Sequence, residues 1–215
     1  MIIKYIKFEE RGMNNVMSYI YVSEDYHGRV DTEYRRYPFL VDRAKLYGSK
    51  FNTIKDRLII VAGCGFGYTV DELASLGFTN VWGFDASRYA VEEASVRELS
   101  TEQASRITLA DATKKADMDN IVATLGRPYL VLDEDLLSCA DTIEEAKLML
   151  ANLRSILHNR GQLVHVLTMR AGTVPHISEG TEQITDFLWL SPEEWREIVG
   201  PDEAIYVAGS MAEVD

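Results

Sequence analysis

Three glycines at alternate positions, Gly63, Gly65 and Gly67, lie between an apolar run, Leu58 to Ala62, and a helically patterned segment that begins at Tyr68. Glycine reaches φ > 0 without a Cβ clash, so a bend of this kind lets bare main chain pass close beneath a ligand. The helix that follows would aim its unpaired N–H groups at the same place. Asp85 comes 20 residues after Gly65, at the end of the next apolar run. A carboxylate there can accept hydrogen bonds from ribose hydroxyls. Asp111 ends the run after that, where an adenine amino group could reach it. Either aspartate alone is more often a helix cap or a solvated strand end. A glycine bend and two aspartates at three consecutive strand ends point to a nucleoside-type ligand.

The elements that must position these residues alternate in type. Leu58–Ala62 is β-rich and continuously apolar, as a strand buried on both faces should be. The pattern predicts helix from Tyr68 to Leu76, stopped by Gly77, then a strand from Asn80 to Phe84 ending at Asp85. Ser87 opens a helix to about Leu99, and Arg106–Leu109 is a short third strand closed by Ala110-Asp111-Ala112. Helix is expected from Met118 to Leu125, and a fourth strand from Tyr129 to Leu132 ending at Asp133. Thr142 and Glu145 have the spacing of a capping box, with Ala146, Leu150, Leu153 and Leu157 on one face of the helix they start. A fifth strand covers Gln162 to Leu167, and the polar stretch Ala171–Gln183 reads as a loop. Ser191-Pro-Glu-Glu is a second capping box with proline at the first helical position, and Ala204–Ala208 is a sixth strand. The alternation predicts a doubly wound, mostly parallel sheet in a three-layer α/β/α domain over residues 51–215. Residues 1–50 read as a hairpin followed by a Tyr- and Arg-rich helix, an appendage suited to a lid or substrate wall.

Composition narrows the function classes. A net charge of −12 disfavours, without excluding, a protein that tracks along nucleic acid. The acidity is uneven. Residues 171–215 hold one basic side chain against ten acidic, and residues 1–50 hold nine against seven. No apolar run reaches the roughly 18 residues of a membrane span, and no signal peptide is evident, so a cytoplasmic location is expected. Cys64 and Cys139 suit a reducing compartment, and no metal-ligand spacing surrounds them, so no metal is expected. Nothing in the sequence specifies an oligomeric state.

The spacing G-x-G-x-G differs from the dinucleotide fingerprint, which needs glycine or alanine where Tyr68 stands. With Asp85, Asp111 and the segment Leu-Val-Leu-Asp-Glu-Asp-Leu-Leu-Ser ending at Ser138, the chain resembles class I, Rossmann-like, S-adenosylmethionine-dependent methyltransferases over residues 57–208. The resemblance implies S-adenosyl-L-methionine as cofactor and S-adenosyl-L-homocysteine as product. It implies that Gly63, Cys64, Gly65 and Gly67 form the bend beneath the methionine part, that Asp85 holds the ribose, and that Asp111 with the Ala112 N–H binds adenine. Phe66, Phe84 and Ala86 would supply apolar contact to the adenosine, with Phe84 equally readable as plain core. Asp133, Glu134 and Asp135 would border the methyl-transfer site, and Leu136 would wall the cofactor. Two departures stand out. Val61 occupies the place where the family has an acidic residue, and six strands are readable where the family's sheet has seven.

Methyl transfer from a sulfonium needs chiefly in-line positioning of a nucleophile. A general base is required only for an un-ionised hydroxyl or a protonated amine, and the candidates are Glu134, Asp135, His176 and His27. The stretch Tyr21, Tyr26, His27, Tyr34, Arg35, Arg36, Tyr37 would face a small anionic or planar substrate, or pack its tyrosines on the core. The expected partner is a small molecule or a protein. Three alternatives remain: a non-catalytic binder of the same cofactor, a lyase or aminopropyl-transferring enzyme on the same scaffold, and a nicotinamide-dependent oxidoreductase, against which Tyr68 counts.

Overall fold

The computed structural model describes residues 52–96, 106–134, 136–169, 190–200 and 204–210. The expected N-terminal appendage, the polar stretch around His176, and Asp135 lie outside them. Six strands, β1 (Ile59–Ala62), β2 (Val81–Asp85), β3 (Ile107–Leu109), β4 (Leu130–Glu134), β5 (Gln162–Met169) and β6 (Ala204–Ser210), form one sheet in the order β3-β2-β1-β4-β5-β6. Every neighbouring pair is parallel. Among the described residues five α-helices connect and cover them: α1 (Tyr68–Ser75), α2 (Arg88–Val96), α3 (Lys115–Leu125), α4 (Ile143–Ile156) and α5 (Pro192–Val199). Among the described residues there is no seventh strand, and no helix is long and apolar enough to cross a membrane.

The continuous apolar run of β1 has a direct cause, because both its faces are covered. Ile59 and Val61 pack with Val70 and Leu73 of α1 and Ala94 of α2. Ile60 and Ala62 pack with Met118 of α3, Leu150 and Leu153 of α4, and Trp195 of α5. The helices therefore change sides between β1 and β4. Connections leaving the carboxyl ends of those two strands diverge, and this switch point is where open α/β sheets bind ligands.

Local signals end and start the helices as their residues dictate. Gly77, at φ 87°, lets Phe78 N–H reach back to the Leu73 carbonyl and Gly77 N–H to the Ala74 carbonyl, which closes α1. Ser191 and Glu194 make both bonds of a capping box. At α4 only half of the expected box forms. The Thr142 hydroxyl accepts from Glu145 N–H, whereas the Glu145 carboxylate accepts from Asp141 N–H one residue earlier than the motif requires. Helix α3 begins at Lys115 rather than Met118, because its first turn, Lys-Ala-Asp, is polar and carries no apolar periodicity. Strand β5 runs two residues beyond the expected Leu167, to Met169, and β6 runs on to Ser210. Several helix ends are tied by long cations: Lys55 Nζ donates to the Leu76 carbonyl at 2.8 Å and Arg127 Nη1 to the Ser155 carbonyl at 2.7 Å.

Candidate cofactor-binding site

The bend after β1 takes the shape its glycines allow. Gly63, Gly65 and Gly67 all have positive φ, at 70°, 51° and 81°. Gly63 and Cys64 N–H groups both donate to the Phe84 carbonyl at 3.0 Å, and Gly67 N–H donates to the Cys64 carbonyl at 2.9 Å. Gly65 N–H turns instead to Asp85 Oδ2 at 2.8 Å, while Asp85 Oδ1 accepts from Ser87 N–H at 2.8 Å. Asp85 is only 5% exposed, so its carboxylate is built into the crevice floor between β1 and β2. Val61 is buried against the α1 side of the sheet and takes no part in the bend. The bend is pinned instead by Asp85 of the neighbouring strand.

Two close approaches explain further small residues. A Cβ on Gly63 would meet Leu136 Cβ at 3.0 Å, so the β4 turn presses directly on the bend. A Cβ on Gly83 of β2 would meet Cys64 Sγ at 2.7 Å. The Cys64 side chain is thus turned into the core over Gly83, leaving its main chain in the bend. Phe84 is core, as its alternative reading had it, and Ala86 is exposed. Phe66 meets Tyr89 of α2 edge-on, with ring centroids 6.3 Å apart.

At the end of β3, Asp111 Oδ1 accepts from the Thr113 N–H and hydroxyl at 2.9 and 2.7 Å, and its Oδ2 pairs with Lys114 Nζ at 3.0 Å. Partial burial raises the Asp111 carboxyl, but these hydrogen bonds outweigh it and hold the group below the ordinary carboxylate value. The same ion pair raises the exposed Lys114 ammonium. The Ala112 carbonyl accepts from Asn152 Nδ2 of α4 at 2.7 Å, which moors the Asp111–Ala112 turn to the far helix layer.

Asp133 does not present its carboxylate at the surface of the site. It has no exposure: Oδ1 accepts from Leu136 and Leu137 N–H at 2.9 and 3.3 Å, and Oδ2 lies 2.6 Å from His165 Nδ1 on β5. The main chain of Glu134 ends β4 beside this pair. The structure thus brings the glycines, Asp85, Asp133 and Leu136 together around the β1 and β4 carboxyl ends, with Asp111 and Ala112 at the end of β3, two strands away from β1. Asp135 and His176 lie outside the described residues. Among the described residues no group of His, Cys, Asp and Glu could hold a metal ion.

Sequence reasoning passed over His165, Asn152 and Gly83. His165 did carry a signal. It interrupts the apolar run Leu163–Leu167, and a polar group in a strand covered on both faces must find a partner. Asn152 had none, since an amide within an amphipathic helix is ordinary.

No protein-family model matches the sequence, and no curated protein does. Solved structures do match in shape. A S-adenosylmethionine-dependent methyltransferase from Anabaena variabilis is 19% identical, with a TM-score of 0.55 over 75% of this chain and 71% of its own. The magnesium protoporphyrin IX methyltransferase of Synechocystis, solved with bound S-adenosylmethionine, is 22% identical, with a TM-score of 0.52 over 74% of this chain and 64% of its own. The cyclase SpnF is 15% identical, with a TM-score of 0.57 over 74% of this chain and 56% of its own. The chain spans less than two thirds of the length of the last two. At these identities the shared property is the fold, which is the Rossmann-like fold of class I S-adenosylmethionine-dependent methyltransferases, and SpnF shows that the fold also hosts a cyclase.

Proposed function

We propose that the chain binds S-adenosylmethionine at the β1–β4 switch point and transfers its methyl group to an oxygen or nitrogen nucleophile of a small molecule or protein. The observation that carries this reading is the bend of three left-handed glycines pinned by a buried Asp85. The residues fit the group. A carboxylate accepts about four hydrogen bonds, so bonding to Gly65 and Ser87 is compatible with bonding to a ribose diol. The fit extends to the neighbouring elements: Gly63, Cys64, Gly65 and Gly67 offer main chain to the methionine part, Leu136 walls it, and Asp111 with the Ala112 N–H serves adenine.

When bound, the cofactor supplies a methyl group already activated on a sulfonium. The chain's work is then to hold the acceptor in line and keep competing water out. Glu134, Asp135 and His176 are the candidate bases for an acceptor that must lose a proton. With a net charge of −12, a small molecule or protein is a better acceptor than nucleic acid.

The strand order β3-β2-β1-β4-β5-β6 with every pair parallel is also that of dinucleotide-binding domains, which favours a nicotinamide enzyme as the second reading. Tyr68 at the first position of α1, where that family needs glycine or alanine for close helix–strand packing, separates the two. Calorimetric titration with S-adenosylhomocysteine, sinefungin and NADH tests them together. Binding of the first two and not the third is expected, and the reverse pattern refutes the proposal. Release of S-adenosylhomocysteine from S-adenosylmethionine over an acceptor panel then tests turnover. Binding without release on any acceptor would favour a non-catalytic binder.

A further inference from the structure

Asp133 and His165 face each other in register on β4 and β5, both with no solvent exposure. Taking an ionisable pair out of water costs roughly several kcal/mol per ion unless its hydrogen bonds are complete. An apolar residue at 165 would suit the surrounding run. The pair is joined to the glycine bend by continuous contact: His165 Nδ1 to Asp133 Oδ2 at 2.6 Å, and Asp133 Oδ1 to Leu136 and Leu137 N–H at 2.9 and 3.3 Å. Those two N–H groups open the 3-10 turn Leu137–Cys139, and Leu136 lies against Gly63.

We propose that His165 is a positioning residue for the cofactor site: its Nδ1–H orients Asp133, whose other oxygen sets the turn that lays Leu136 against the glycine bend. An ionised carboxylate only accepts, so Nδ1 is the donor in this bond. A carboxylate buried without that partner would rotate toward other donors, which loosens the Leu136 and Leu137 N–H bonds. The inference rests on the reading of the crevice as a S-adenosylmethionine site, but the coupling from His165 to the turn can be measured without any ligand.

The test compares two amides at position 165. In His165→Asn the side-chain N–H₂ falls near the place of Nδ1, and in His165→Gln it falls near that of Nε2. Affinity for S-adenosylhomocysteine is measured by calorimetry, and amide hydrogen exchange is followed at Leu136, Leu137 and the bend, well below each variant's Tm. His165→Gln is expected to weaken binding about tenfold, the worth of one buried hydrogen bond, with faster exchange confined to the turn and the bend. His165→Asn is expected to restore most of both. Equal behaviour of the two amides, or exchange rising uniformly across the sheet, overturns the proposal. If the wild-type protein binds no S-adenosylhomocysteine, the functional reading fails, and the exchange at Leu136 and Leu137 still decides the positioning role. His165→Leu serves as a third variant and is expected to match or exceed the effect of His165→Gln.

Discussion

Asp85 of β2 holds Gly65 of the neighbouring connection, with its Oδ2 2.8 Å from the Gly65 amide nitrogen, and so fixes the bend from the side. Removing the carboxylate leaves the Gly65 and Ser87 N–H groups without this acceptor, at a cost of roughly 1.5–3 kcal/mol for each charge-assisted bond. Asp85→Ala should therefore lower affinity for S-adenosylhomocysteine by about a hundredfold or more, with the far-ultraviolet circular dichroism of the wild type retained. Asp85→Asn, which keeps one acceptor, should fall between. Wild-type affinity in the alanine variant would remove the basis of the site assignment.

Gly83 and Cys64 should behave as a coupled pair. A methyl group at 83 would come within 2.7 Å of Cys64 Sγ and 2.9 Å of Val70 Cγ2, deep in the sheet. Gly83→Ala is expected to cost about 1–3 kcal/mol in urea unfolding, the range for overpacking a core. In the double variant with Cys64→Ala the sulfur contact goes, while the 2.9 Å contacts to the Cβ of residue 64 and to Val70 Cγ2 stay. The cycle should therefore show favourable but incomplete coupling, and simple additivity would contradict the packing described here.

The acid limb of stability should report on Asp111. Its folded-state carboxyl titrates below the ordinary value of 3.8. Its contribution is thus complete above that value and is lost as pH falls through the lower, folded-state value. The stability difference between wild type and Asp111→Asn should be constant from about pH 5 to 7 and shrink below about pH 4. Added salt should reduce it, since Lys114, the charged partner, is exposed. A difference that grows on acidification would reverse the sign and refute the assignment.

Asn152 is the quieter candidate for long-range support. Its Nδ2 reaches the Ala112 carbonyl across 40 residues of chain, inside the protein. Asn152→Leu leaves that carbonyl without the bond and should cost about 1–3 kcal/mol in chemical unfolding. Because Ala112 belongs to the turn assigned to adenine, affinity for S-adenosylhomocysteine should also drop several-fold. Affinity for free methionine, which lacks the base, should not change. Equal losses for both ligands would place the effect elsewhere.

Legibility in the sequence followed how local each cause is. The β1 run, the glycine bend, the Gly77 stop and the Ser191 box are set by adjacent residues, and all lie where their residues place them. Asp85 was legible as a strand-end carboxylate, whereas its bond to Gly65 belongs to the pairing of β1 with β2 and leaves no mark in either segment alone. Asp133 was read as bordering the site, yet its carboxylate faces inward, because register puts His165 opposite it. The Glu145 bond to Asp141 rather than Thr142 depends on a side-chain choice at a helix end that spacing does not fix. Strand order lay beyond local patterning for a different reason: alternation predicts a parallel sheet without saying which strands are neighbours.

That order has a consequence for how the protein is made. β1 precedes every other described strand, yet one of its two neighbours, β4, leaves the ribosome some 70 residues later. Throughout that interval its Ile-Ile-Val-Ala edge is open to any extended chain nearby, a template for aggregation. Fragments that stop short of Leu130 should therefore precipitate where longer ones stay in solution.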